Sequence, residues 1–197
     1  ANHDVSVGVP DADAEDADTV LLTVADDEGN VVSYINSRFD GFGSGVVAGE
    51  TGIALQNRGA SFSLDPEHPN SLEPGKRPFH TLIPGVVRLG EDDWAAFGVM
   101  GGYMQPQGHV QVISNIVDCE LPLQRALDVP RWRYRESGEL AVEPHFDDDV
   151  AAKLVRRGHD VRVCSPGAFG GAQIARNRDG VLSAATEPRK DGNAQGY

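Results

Sequence analysis

The stretch "DADTVLLTVADDEGNVVSYINS", Asp16 to Ser37, decides the fold. An acidic run ends at Asp18, and Thr19 opens an apolar, β-branched segment. That segment turns at "DDEGN" and returns. Val20–Ala25 and Val31–Asn36 therefore read as a hairpin across Asp26–Asn30, whose glycine suits a turn. Residues 1–18 are acidic and alanine-rich, and they read as a linker or arm. A threonine stands where the arm meets the first strand.

Working outward, most strands again come in pairs. Thr81–Leu89 and Trp94–Val99 are joined by "GEDD", and Asp160–Cys164, Ala172–Asn177 and Val181–Ala185 close the chain, the last two across "RDG". The apolar spacing of His109–Val117 suits a helix. Pro122–Asp128 reads as a second, short helix. A third covers Asp148–Arg157, capped by Asp147 and stopped at Gly158. Strand pairs with segregated helices make an antiparallel α+β pattern rather than an alternating βαβ one. "GFGSG", Gly41–Gly45, fails the dinucleotide spacing and reads as a loop. Ser63–Pro78 is proline-rich and polar, an ordered loop or a lid over Pro66–Pro78.

The 197 residues suffice for one domain with a sizeable core, and the net charge of −13 disfavours nucleic-acid binding because phosphates would be repelled. No apolar run is long enough for a helical membrane span. No signal peptide is visible, which favours a cytoplasmic location, although the chain reads below as the C-terminal segment of a longer precursor. Aspartate outnumbers glutamate, and Lys76, Lys153 and Lys190 are the only lysines, so a salt-adapted protein is expected. Cys119 and Cys164 have no CxxC spacing and read as reduced, mostly buried thiols. The six histidines are scattered, so neither a metal nor another cofactor is expected.

A threonine hydroxyl is a weak nucleophile unless a base takes its proton. A free α-amine on the same residue can be that base, since its pKa of about 7.7–8.0 leaves a useful neutral fraction near neutrality. Thr19 would gain such an amine only if the Asp18–Thr19 bond were cut. By itself, a threonine at the start of a strand is more often a plain β-former.

Five blocks change that weighting: "DTVLLTVADDEGNVVSYINS", "GFGSGVVAGETGIALQNRGASFSLDP", "PGKRPFHTLIPG", "FGVMGGYMQPQGHVQV" and "ATEPRKDGNAQGY". Together, from Thr19 to Tyr197, they resemble the small subunit of the γ-glutamyltranspeptidase superfamily. The resemblance implies the αββα four-layer sandwich of N-terminal nucleophile (Ntn) hydrolases, with this chain as the small-subunit part. It implies self-cleavage at Asp18–Thr19, Thr19 as nucleophile and a large N-terminal subunit as partner, with higher oligomers of such heterodimers possible. Residues 1–18 would end the large-subunit segment, and 19–197 would be the small-subunit domain. Gly101 and Gly102 would supply the oxyanion hole, as paired glycines let backbone N–H groups approach a carbonyl oxygen. Ser37 falls where the family places a hydroxyl that hydrogen-bonds the nucleophile's amine.

The pocket departs from the family pattern. Where γ-glutamyl enzymes hold the substrate ammonium, this chain has Phe39, Arg58 and Ser61; where a serine pair holds the α-carboxylate, it has His80 and Thr81. A guanidinium repels an ammonium but takes a carboxylate bidentately. The pattern resembles a divergent branch that includes oxamate amidohydrolases. Three readings stand: γ-glutamyl transfer or hydrolysis, cleavage of a small acidic amide such as oxamate, and a non-catalytic, uncleaved half that only pairs with a large subunit.

Overall fold

The computed structural model describes residues 17–197. The acidic arm over 1–16 lies outside the described residues. Strand β1, Ala17–Ala25, pairs antiparallel with β2, Val31–Asp40, so the expected hairpin forms. Asp26 locks its turn, accepting from the Asn30 backbone N–H and from Asn30 Nδ2, each at 2.8 Å. Strand β1 starts at Ala17, two residues earlier than the reading of the arm allows. The Asp18–Thr19 bond therefore lies inside a strand rather than at its mouth.

The main sheet has the order β3-β4-β8-β9, all antiparallel: Gly85–Gly90, Asp93–Met100, Gly171–Arg178 and Val181–Thr186. Thr81 was expected in the first of these strands, but it precedes β3, with its side chain buried. The first helix, α1, spans Met104–Val117 and begins five residues before the expected start. Pro106, ahead of the expected start, falls in the first helical turn, where no intrahelical N–H is needed. Helices α2, Leu123–Asp128, and α3, Asp148–Arg156, form as expected, and Asp147 Oδ1 accepts from Val150 N–H at 2.9 Å to cap α3.

A second sheet, β5-β6-β7, comprises Trp132–Tyr134, Glu139–Val142 and Asp160–Val163. The sequence reading has only its last strand. The β6–β7 pair is parallel, a departure from the all-antiparallel expectation; α3 makes the crossover.

Ala95 through Val99 of β4 are mostly buried on both faces because the strand is covered twice. The hairpin lies on one side. A Cβ on Gly98 would come within 2.9 Å of Leu21 Cδ1, and Ser33 Oγ donates to Phe97 O at 2.8 Å. Helix α1 lies on the other side, close enough that a Cβ on Gly108 would meet Val99 Cγ1 at 2.6 Å. Phe97, Val99, Val112, Leu127 and Ile174 fill the space between sheet and helices. His109 of α1 accepts from Val99 N–H through Nε2 at 3.2 Å, and burial pushes its pKa down to about 4. No helix among the described residues is long and apolar enough to cross a membrane. The thiols are less buried than expected: Cys119 is exposed and Cys164 is half-buried.

Candidate active site

The order of contacts brings the hairpin's start to the far end of β4. Asp26 O accepts from Asn177 Nδ2 at 2.9 Å, and Asn177 sits opposite Trp94 at the beginning of β4. Leu21 sits on Gly98. Moving back along β1 is thus moving forward along β4, and Thr19 comes level with Met100–Gly102.

The β1–β2 register breaks at this place. Asp18 pairs with Phe39, but Thr19 pairs with Ser37, so Arg38 is an extra residue, as in a β-bulge. Phe39 carries a φ of 82°. For a bulky L-residue that is a strained conformation, costing about 1–3 kcal/mol. The bulge folds Ser37 back: its Oγ accepts from Phe39 N–H at 3.0 Å. The same Oγ lies 2.9 Å from Thr19 Oγ1 and 3.0 Å from Arg58 Nη2.

Arg58 opens a short 3-10 turn, Arg58–Ser61, and is 5% exposed. Its guanidinium carbon sits 4.8 Å from the Phe39 ring centroid, and burial lowers its pKa. Among the described residues its Nε has no hydrogen-bond partner, and it makes no ion pair there. Ser61 is buried, its carbonyl is held by Asn70 Nδ2 at 2.6 Å, and its side chain lies near the Tyr103 phenol. Burial raises the Tyr103 pKa, while Ser61 and the positive charge of Arg58 pull it back.

Gly101 and Gly102, with φ of 127° and 57°, form the turn between β4 and α1. Their carbonyls accept from Met104 and Gln105 N–H at 3.0 and 3.1 Å. A Cβ on Gly101 would lie 2.8 Å from Gly170 Cα, so the turn rests directly on another backbone.

Thr19, Ser37, Phe39 and Arg58 thus form one chain of contacts, and Ser61, at the end of the same short turn as Arg58, lies near Tyr103, the residue after the glycine turn. His80 and Thr81 are not joined to it. His80 is exposed, its Nδ1 accepting from Leu82 N–H at 3.2 Å, and Thr81 Oγ1 is buried without a partner among the described residues. Tyr103 was missed from sequence. Its ring lies parallel to Phe79, with centroids 6.2 Å apart, which ties the Phe79 loop to the glycine turn. An aromatic residue directly after "MGG" is the signal that was there to be used.

A hydroxyl flanked by a second hydroxyl and a buried cation, beside a glycine turn, is an arrangement for attack on a carbonyl. The chain belongs to the gamma-glutamyltranspeptidase family, whose model matches residues 2–197. Its fold is of the Ntn-hydrolase class, with mixed helix and sheet. It is 43% identical over 188 residues to an oxamate amidohydrolase proenzyme of Klebsiella pneumoniae, covering 91% of this chain and 36% of that protein. The structure of a cephalosporin acylase from Bacillus halodurans matches with a TM-score of 0.77 and 46% identity over 90% of this chain and 34% of that one. A gamma-glutamyltranspeptidase chain from Pseudomonas nitroreducens matches with a TM-score of 0.78 and 26% identity, covering 90% of this chain and 98% of that one. The chain spans about a third of the length of the curated relatives it matches.

Proposed function

We propose that this chain is the nucleophile-bearing part of a self-cleaving Ntn amidohydrolase whose substrate is a small amide carrying a carboxylate. Self-cleavage comes first. Thr19 Oγ1 attacks the Asp18 carbonyl carbon and the C–N bond breaks. The hydroxyl proton passes to the departing nitrogen, and water hydrolyses the resulting ester. The freed α-amine then takes the Oγ1 proton as Thr19 attacks the substrate amide. Gly101 and Gly102 N–H groups receive the negative oxygen, the leaving nitrogen takes the proton, and water releases the acyl group. Placing the reacting bond opposite a strained bulge is consistent with this sequence of steps.

The observation that carries the substrate class is Arg58. It is buried beside the nucleophile, positive, and has an unpartnered Nε. A buried guanidinium calls for an anion. A γ-glutamyl substrate would bring an ammonium up against this guanidinium, and like charges repel. The second reading, γ-glutamyl transfer or hydrolysis, is favoured by the match to the Pseudomonas nitroreducens chain along almost its whole length.

The outer face of the hairpin bears Val20, Leu22, Val24, Val32 and Tyr34, all exposed. We take this face as the contact with a large subunit from the same precursor, which would complete the four layers. Assaying the full precursor on oxamate and on a γ-glutamyl anilide tests the reading. Oxamate turnover that falls on Arg58→Ala is expected. Fast γ-glutamyl release unaffected by Arg58→Ala would overturn it.

A further inference from the structure

Ser37 Oγ has three polar neighbours within hydrogen-bond distance: Phe39 N at 3.0 Å, Arg58 Nη2 at 3.0 Å and Thr19 Oγ1 at 2.9 Å. A serine hydroxyl has two lone pairs and one hydrogen. The backbone N–H and the guanidinium N–H can only donate, so they take both lone pairs. The one hydrogen left on Ser37 then has a single acceptor, Thr19 Oγ1. Hydroxyl hydrogens rotate freely, and here the two nitrogen donors decide which way this one turns.

We infer that Arg58 is a positioning residue for the nucleophile, acting through Ser37, in addition to any contact it makes with substrate. The inference rests on Thr19 being the nucleophile, as proposed above. With Arg58 in place, Ser37 donates to Thr19 Oγ1. The Thr19 hydrogen stays free to leave toward the base, and the negative charge that grows on Oγ1 meets a donor backed by a cation. Without Arg58, Ser37 regains a lone pair and can accept from Thr19. The nucleophile's hydrogen is then held in the wrong direction. The fit is tight: Arg58 is buried, its guanidinium is stacked on Phe39, and Phe39, whose N–H Ser37 Oγ accepts, directly follows the extra residue Arg38.

This role separates from substrate binding in one reaction. Self-cleavage at Asp18–Thr19 uses the same hydroxyl but involves no substrate carboxylate. The experiment follows the cleavage of freshly made full-length precursor by intact mass, for wild type, Arg58→Ala, Arg58→Lys, Ser37→Ala and the Arg58→Ala/Ser37→Ala double variant. Thermal melts of each precursor establish that it is folded. Arg58→Ala and Ser37→Ala are each expected to slow cleavage about tenfold or more, the scale of one hydrogen bond to a charged group. The double variant is expected to be no slower than the slower single one, because both remove one relay. Arg58→Lys is expected to recover part of the rate.

Wild-type cleavage kinetics in folded Arg58→Ala, with only oxamate binding weakened, would overturn the inference. So would single effects that multiply in the double variant. Should Arg58→Ala fail to fold, Arg58→Lys and Ser37→Ala decide: a normal rate in Ser37→Ala overturns the relay, and slowing there with partial slowing in Arg58→Lys supports it. A wild-type precursor that never cuts at Asp18–Thr19 overturns the preceding reading of Thr19 instead.

Discussion

Arg58 and Arg131 are both buried, at 5% and 1% exposure, yet their surroundings differ in kind. Arg131 sits in a closed network. Its Nη2 meets Glu187 Oε2 at 2.8 Å, its Nη1 donates to Phe169 O at 3.1 Å, and its backbone N–H donates to Glu143 Oε2 at 2.6 Å. Arg189 closes the ring, reaching Glu143 at 2.5 Å and Glu187 at 2.6 Å. Glu187 also accepts from Ala172 N–H at 2.6 Å. Arg58 has a serine, an aromatic ring and an idle Nε. Buried polar groups normally find partners. The satisfied arginine holds the frame, because its network grips Phe169 and Ala172 on either side of the Gly170 backbone that supports Gly101. The unsatisfied one stands one serine away from Thr19, the proposed nucleophile, where a ligand can complete it.

The sharpest way to break this comparison is at the reactive end. Thr19→Ala should abolish self-cleavage and cut amide turnover by a factor on the order of 10⁶, the scale seen when a nucleophile is removed. The thermal melt of the precursor should stay near that of wild type, since Thr19 holds up little of the core. Intact mass and turnover assays read the first effect and calorimetry the second.

The frame should fail in the opposite sense. Glu187→Ala removes the carboxylate that two guanidinium groups and the backbone N–H groups of Ala172 and Arg189 share, and leaving buried charge unpaired typically costs about 3–5 kcal/mol. Chemical denaturation should show that loss in the precursor.

The smallest effect expected is a pH dependence. His109 has a folded-state pKa of about 4, below its ordinary value of 6.5, because burial disfavours the charged ring. The unfolded chain therefore binds the proton more readily between these values. The contribution of neutral His109 is complete above about pH 6.5 and is lost as pH falls toward 4. His109→Gln should flatten that part of the stability profile in denaturation curves taken across this range.

Much of this was legible in the residues, and the gaps have causes. Alternating apolar residues gave the hairpin, and Asp147 marked its helix. Strands β5 and β6 were missed because the inward side chains around them include Arg131 and Arg133, which no hydrophobic pattern flags. They are tolerable inside only because carboxylates and the carbonyls of Ala168 and Phe169 answer them. The start of α1 was missed because a proline in the first turn looks like a breaker. At the site, Thr19, Ser37 and Arg58 were named from a resemblance, but the extra residue at Arg38 that folds Ser37 back is a matter of register. Register depends on pairing across the hairpin, which a single strand does not encode.

The hairpin has one more consequence. Among the described strands, β1 and β2 pair only with each other, so both long edges of this ribbon offer unpaired backbone groups beside an apolar face. Such a ribbon is a template for the edge of another chain. Production of this chain without the proposed large subunit should therefore drive it into insoluble aggregates, and joint production of the two should keep it in solution.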